Sequence, residues 1–439
     1  MRQSVLVILL LLNFIALLSA DDEAAQCLVC HQETTPGLYL QWYESPHAMS
    51  EITCIDCHGA DPSDPDAFLH EDSYIATLVT PGDCGVCHEQ EAEEVGNSYH
   101  ATAGMILESA DAYLANVAGG HQAMVTGCES CHGARVEIDP DSPNKLAATS
   151  WPNSGIGRIN PDGTKGSCNA CHMRHGFSKA QARQPEACSK CHLGPDHPQK
   201  EVYEESKHGN TYYTNVDKMN LDSYSWVVGE DYYIAPTCAT CHMTATSDQP
   251  TTHDVGQRLK WTLRPPISKF KDDHETKREN MADVCQTCHA GTFVDGHFHQ
   301  FDAFVELYNI KFARPATDLM KIVRENKLLE REAAFGNEIE WIYWELWHHE
   351  GRRARHGVAM AGPDYAWWHG LYDVAHNFYF ELLPAARELH HPEVDKFIDN
   401  LLSSDPMHQW LGQNTKDLKQ AIKTGSIRDI YNPLYEADK

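Results

Sequence analysis

No cysteine in this 439-residue chain lies outside one repeated pentapeptide, and strand-like alternation is scarce. After residue 20 no stretch is apolar enough to cross a bilayer, so the mature chain is not expected to be embedded in a membrane. Basic charge is also short: 35 lysines and arginines stand against 63 aspartates and glutamates, a formal net charge of −28. Nucleic acid is therefore not expected as a partner. The acidic surplus suits the solubility of an exported protein and equally suits steering toward a basic electron carrier.

The pentapeptide is Cys-x-x-Cys-His, and eight copies use all 16 cysteines. The cysteine pairs are Cys27 and Cys30, Cys54 and Cys57, Cys84 and Cys87, Cys128 and Cys131, Cys168 and Cys171, Cys188 and Cys191, Cys238 and Cys241, and Cys285 and Cys288. They are followed by His31, His58, His88, His132, His172, His192, His242 and His289. At this spacing two thiols add across the vinyl groups of a porphyrin, and the next imidazole turns under the iron as its proximal ligand. Eight covalently bound haem c groups are expected. Zinc sites or eight disulfides would use the cysteines but leave a histidine after every second one without a purpose.

The opening MRQSVLVILLLLNFIALLSA places one arginine before an apolar run and ends on small residues, the pattern of a secretory signal over residues 1–20, with cleavage after Ala20. An uncleaved anchor is the alternative. Export to the periplasm or an equivalent extracytoplasmic compartment follows from this signal.

Residues 21–300 read as the octahaem-binding region, with motifs at irregular intervals of 20 to 50 residues and turn-rich stretches such as DPSDPD between them. Haems supply much of the buried apolar mass there, so ordinary length arithmetic for domains does not apply. Residues 301–439 read as a carboxy-terminal helical region. Phe301, Phe304, Val305 and Tyr308 share one helical face, Trp341, Trp344 and Trp347 form a stripe, and Phe397, Ile398, Leu401 and Leu402 suggest a last short helix. Pro384 is expected to kink or break its helix. The fold class is thus mainly α: a multihaem cytochrome c with an irregular haem-packed region and a carboxy-terminal helical bundle.

The motifs use eight of the 27 histidines, leaving 19 as possible second axial ligands. Seven lie in polar or turn-flanked settings that could present an imidazole: His47, His100, His121, His175, His208, His253 and His369. Seven second ligands for eight irons leave one iron open, the condition that separates a catalytic haem from a conducting one. One further ligand, from His297 or His299, would instead close all eight into a wire.

The segment CNACHMRHGFSKAQARQPEACSKCHLGPDHPQKEVYEESKHG resembles the octahaem hydroxylamine oxidoreductase family, which includes hydrazine dehydrogenase-like enzymes. The stretches APTCATCHM, THDV and GPDYAWWHG, and the number and order of motifs, extend the resemblance over most of the chain. It implies seven bis-histidine haems, one five-coordinate catalytic haem at the fourth motif (Cys128, Cys131 and His132) and a homotrimer. It further implies a catalytic Asp-His pair at Asp196 and His197. In oxidative members a tyrosine from a neighbouring subunit is bonded to the catalytic porphyrin, and Tyr365 is the matching candidate here. A buried tyrosine packed beside Trp367 and Trp368 is the alternative for that residue, and Tyr232 and Tyr233 are other tyrosines that could line the pocket.

These parts suit oxidation of a small nitrogenous substrate, hydroxylamine or hydrazine, with a soluble or membrane-associated cytochrome as electron carrier. Reduction of nitrite or hydroxylamine to ammonia, and a non-catalytic electron conduit, are the alternatives. Arg352, Arg353 and Arg355 are candidates for pairing with haem propionates or attracting an anion, or else form a solvated basic patch.

Overall fold

Threonine before the motif opens several of the short motif helices. In the helix Cys54–His58 the Thr53 N–H and hydroxyl both donate to Asp56 Oδ2, at 2.7 and 2.8 Å. The helix Cys238–His242 follows Thr237, whose N–H donates to Thr240 Oγ1 at 2.9 Å. These reciprocal caps satisfy amides that a five-residue helix could not otherwise pair. Each of the two helices ends on its histidine, which leaves the imidazole clear of the helix body.

The computed structural model describes residues 25–108 and 110–435; the expected signal segment 1–20 lies outside them. Helix accounts for 57% of residues and strand for 4%, so the protein is mainly α. The chain forms two compact units. The first comprises the described residues up to Ala187, with Leu221–Tyr224 and Thr251–Gly256; the second comprises Cys188–Asn220, Ser225–Pro250 and Gln257 onward. Five motifs belong to the first unit and three to the second.

Short helices and turns make up the first unit, and its one named sheet is a hairpin pairing Phe68–His70 with Ser73–Ile75. Glu71 adopts a left-handed φ of 52° at the hairpin turn. A small apolar cluster gathers Leu78, Val136 and Leu146, with Ile138 and Trp151 against it. Motif cysteines far apart in sequence come near one another in space: Cys27 acts electrostatically on Cys54, Cys87 on Cys57 and Cys168 on Cys84.

The second unit contains a much larger apolar core, including Tyr308, Phe312, Leu319, Met320, Leu346, Val374, Phe378, Leu382, Val394 and Ile398. Three long helical runs build it: Gly291 to Glu325, Glu338 to Ala359, and Pro363 to Arg387. Each contains wide i→i+5 turns, at Asn309–Ala313, Glu345–Glu350, Trp367–Leu371 and Phe378–Leu382.

The break expected at Pro384 does not occur. A proline in an α-helix removes one N–H and clashes with the carbonyl four residues earlier. Here that earlier residue, Phe380, lies in the wide turn Phe378–Leu382, where the backbone pairing is already respaced. Pro315 follows the wide turn Asn309–Ala313 in the same way. Phe397, Ile398 and Leu401 lie in the helix Pro392–Ser404, but it is not the last: Thr415–Thr424 and Ser426–Tyr431 follow it. Among the described residues no helix is long and apolar enough to cross a membrane.

Candidate functional site

Six motif histidines face a second histidine ring at a nearly constant distance. Ring centroids are 6.1 Å apart for His31 and His70, 6.3 Å for His88 and His47, and 6.3 Å for His58 and His175. They are 6.5 Å apart for His172 and His253, 6.1 Å for His192 and His197, and 6.1 Å for His289 and His208. Two imidazoles bound to one iron, each nitrogen about 2 Å from it, place their centroids about 6 Å apart. The spacing therefore fits haem iron between the rings.

The protonation of these rings fits the same use, because only a neutral imidazole ligates a metal. His58 donates from Nδ1 to the Ala76 carbonyl at 2.9 Å, which leaves Nε2 as the ligating nitrogen. His31 Nδ1 is bonded to Thr35 Oγ1 at 2.7 Å. Burial, then the facing His253, lowers His172 to about 4; burial, then His58, does the same for His175. His47, His208 and His253 are also lowered, chiefly by burial.

Of the seven second-ligand candidates, His47, His175, His208 and His253 are the ones placed opposite motif histidines in these pairs. His100 lies in a turn where its N–H donates to Ser98 Oγ at 3.2 Å. The other two are placed elsewhere. His121 begins the short helix His121–Ala123 and acts electrostatically on Glu129, while His369 Nδ1 is tied to Asp364 Oδ2 at 2.6 Å with Tyr365 as its ring neighbour. Neither has a motif histidine as a ring neighbour among the described residues. His70 was not among the candidates. Its local sequence FLHEDSY marks a hairpin and gives no sign that the turn delivers an imidazole to His31.

The fourth motif ends the short helix Glu129–His132 after a wide turn, Met124–Cys128. Backbone from a distant loop clamps it: Ile156 N–H donates to the Cys131 carbonyl and Gly157 N–H to the His132 carbonyl, both at 3.0 Å. The approach requires glycine at two points. Gly133 has a φ of 76°, and a Cβ on Gly155 would collide with the Gly133 amide.

Asp196 and His197 lie in the second unit among basic groups. Arg352 Nη1 donates to Asp196 Oδ2 at 3.0 Å, and its Nε donates to the Arg264 carbonyl at 2.8 Å. His197 Nδ1 is 3.3 Å from Asp196 Oδ1, an ion-pair distance without hydrogen-bond alignment. Burial alone would raise the Asp196 carboxyl; the charges of His197, His348 and Arg352 outweigh it and hold the group below the ordinary carboxylate range. His348 is buried and stacked on Trp344 at 3.9 Å. His356 is half-buried, and burial followed by Arg355 and His197 holds it well below the ordinary imidazole range. His348 and His356 were not singled out by the sequence, where they sit in the basic, helical EGRRARHG neighbourhood with no local mark of a site.

The remaining candidates are placed as follows. Tyr365 lies on the short helix Pro363–Ala366, with Glu201, Glu205 and Arg353 close enough to act on its hydroxyl; burial is the main cause that raises it. Arg353 binds Asp373 at 3.1 Å, and buried Arg355 donates to Gly351 O, Pro265 O and Ser268 Oγ. Tyr232 is buried, stacked on Trp226 and donating to Thr240 Oγ1 at 2.8 Å; Tyr233 is exposed. His299 Nε2 donates to the Tyr435 carbonyl at 2.9 Å, and burial lowers His297.

Comparison with known proteins supports the same chemistry. A family described as seven times multi-haem cytochrome CxxCH matches residues 160–334. A probable nitrite reductase-hydroxylamine oxidoreductase fusion protein of Kuenenia stuttgartiensis is 25% identical over 79% of this chain. The chain spans about half the length of that relative, 49%. A solved structure described as a hypothetical multiheme protein aligns with a TM-score of 0.73 at 25% identity, covering 85% of this chain and 96% of its own. The Kuenenia stuttgartiensis reducing HAO-like protein complex aligns with a TM-score of 0.64 at 21% identity, covering 86% of this chain and 88% of its own, and shares the fold.

Proposed function

We propose, from its similarity to hydroxylamine oxidoreductase-like multihaem cytochromes, that the chain is an exported octahaem oxidoreductase that oxidises hydroxylamine or hydrazine. The observation that carries this reading is the Arg352–Asp196–His197 arrangement, a carboxylate held ionised beside an imidazole in a largely buried setting. Haem c supplies an iron that binds a nitrogen lone pair and further irons that take up and pass on electrons. The histidine pairs around His31, His58, His88, His172 and His289 are the conducting ligand sets. By resemblance the substrate-binding iron belongs to Cys128, Cys131 and His132, and Tyr365 is the tyrosine bonded to its porphyrin.

The protein's own part is proton handling. Each N–H or O–H bond of the substrate that is oxidised releases a proton, and a neutral imidazole accepts it at Nε2. Asp196 remains a carboxylate, 3.3 Å from Nδ1 of His197, and stabilises the imidazolium that forms. Arg352 fixes the carboxylate from its other oxygen, so the pair keeps its orientation through the cycle. The acidic surface suits delivery of electrons to a cytochrome partner with a basic face.

A reductive reading, nitrite or hydroxylamine to ammonia, is favoured by the basic surroundings of the pair. Arg352, Arg264, His348 and His356 crowd it, which suits an anionic substrate and proton delivery. The names of two similar proteins, a nitrite reductase-hydroxylamine oxidoreductase fusion and a reducing HAO-like complex, point the same way. Steady-state assays on one preparation decide between them: hydroxylamine- or hydrazine-dependent reduction of an electron acceptor is expected to exceed nitrite-dependent oxidation of a donor. The reverse order overturns the oxidative assignment, and inactivity in both assays leaves an electron conduit.

A further inference from the structure

The wide turn Glu345–Glu350 places an acid where the fold provides little to neutralise it. Such a turn respaces the backbone ladder and leaves a carbonyl in need of a donor. Asn377, from the run Pro363 to Arg387, supplies it: its Nδ2 donates to the Ile342 carbonyl at 3.1 Å. The same Nδ2 lies 3.5 Å from Glu350 Oε1. Asn377 is 1% exposed and Glu350 is half-buried, so little water reaches this contact.

Three polar atoms around that contact have no hydrogen-bond partner: Glu350 Oε2, Asn377 Oδ1 and Arg353 Nε. Two of them are acceptors on neighbouring side chains. A proton on Glu350 turns an unpaired acceptor into a donor and removes a poorly solvated negative charge, since an unpaired buried acceptor carries a desolvation cost. The surrounding charges do not fix Glu350 as an anion. Arg353, a cation that acts on it, already binds Asp373 through Nη2 at 3.1 Å. Asp373 and Glu381 add negative charge, Glu381 is itself paired with His376 at 3.2 Å, and buried Tyr308 of the helix Gly291–Tyr308 also interacts with Glu350. Burial is the main cause that pushes Glu350 up to about 8 from an ordinary 4.5; the Asn377 hydrogen bond and Arg353 oppose it.

Glu350 lies two residues from Arg352, whose guanidinium holds Asp196. We propose that Glu350 is a redox-linked proton-binding group: a carboxyl within the second unit that gains a proton as electrons enter the protein and releases it as they leave. The balance is one proton bound to the Glu350 carboxylate for charge added nearby, with no bond to substrate made or broken. An added electron raises the affinity of a poorly solvated acid for a proton, and the compensating proton raises the potential of the accepting centre. The inference rests on the multihaem character of the protein, not on the substrate or the direction of turnover.

The test is therefore made without substrate. Reduced-minus-oxidised infrared spectra of the intact haem-loaded protein are expected to show a protonated-carboxyl band that shifts in heavy water. Spectroelectrochemical titration is expected to show at least one midpoint potential that falls as pH rises between about 6 and 8. Glu350→Gln should abolish the band and flatten that pH dependence while keeping full haem content, and Glu350→Asp should keep the band at a shifted frequency. A wild-type difference spectrum without such a band overturns the proposal by itself, as does an unchanged band and pH dependence in Glu350→Gln. Loss of hydroxylamine oxidation from the wild-type assay would overturn the substrate assignment and leave this result standing.

Discussion

Arg352 Nη1 donates to Asp196 Oδ2 at 3.0 Å, joining a residue near the wide turn of one long helix to the Asp-His pair after the sixth motif. Arg352→Ala removes a positive charge that lowers the Asp196 carboxyl, so that group will titrate at higher pH. The acid limb of the pH–rate profile is expected to move upward and turnover to fall roughly 10- to 100-fold, the equivalent of about 1.5–3 kcal/mol for one hydrogen bond to a charged group. Arg352→Lys should recover part of the loss. An unshifted acid limb in the alanine variant would separate Arg352 from the function of Asp196.

His197 has two geometrically supported uses, because its ring is 6.1 Å from that of His192 as well as beside Asp196. As the proton acceptor, its replacement in His197→Ala is expected to cut turnover by about 10²- to 10⁴-fold while every low-spin haem signal remains. Electron paramagnetic resonance and near-infrared magnetic circular dichroism measure those signals. Loss of one bis-histidine signal would instead make His197 the second ligand of the sixth motif's iron.

His70 and His31 form a pair on the same spacing. His70→Ala should keep covalent haem attachment at Cys27 and Cys30 but convert one low-spin haem to a form that binds cyanide or nitric oxide. A titration with either ligand reads the change directly. No gain in ligand binding over the wild type would remove His70 from the ligand set.

Glu350 gives a pH dependence of stability with a definite sign. Below about pH 4.5 the carboxyl is neutral in both the folded and the unfolded chain, and the folded state carries no penalty. Between 4.5 and about 8 the unfolded chain has lost a proton that the folded protein still holds, so stability falls as pH rises and levels off above that range. The loss is on the order of a few kcal/mol for a largely buried group. Denaturant unfolding of the haem-loaded protein should show this slope in the wild type and a flatter one in Glu350→Gln.

Tyr365 tests the oxidative assignment. A porphyrin bonded to its side chain should give the purified protein an absorption band beyond those of ordinary haem c, and Tyr365→Phe should abolish that band and sharply reduce hydroxylamine oxidation. An identical spectrum in the variant would show that no such bond forms.

The motifs, their cofactor and the helical character of the chain were legible in the sequence because each is local. Thiol spacing along one helical turn determines how a porphyrin attaches, and the apolar periodicity after Phe301 determines which face of each helix is buried. At Pro384, where a kink or a break was expected, the helix is unbroken: the residue four positions upstream lies in a wide turn where the backbone pairing is already respaced, and nothing in the local pattern encodes that respacing. The facing imidazole pairs depended on contacts far apart in sequence. His47, His175, His208 and His253 were singled out by their polar settings, whereas His70 needed the hairpin and its approach to His31 to be recognised. The same applies to the charges around Asp196. His197 beside it, with a histidine and an arginine 152 and 156 residues away, holds that carboxyl ionised, and the burial of Glu350 beside Asn377 favours its proton. Sequence by itself determined which groups can bond to haem and which segments are helices; only the tertiary structure decided which imidazoles face one another and which acids carry charge, because ligation and ionisation depend on distance and solvent access across the fold.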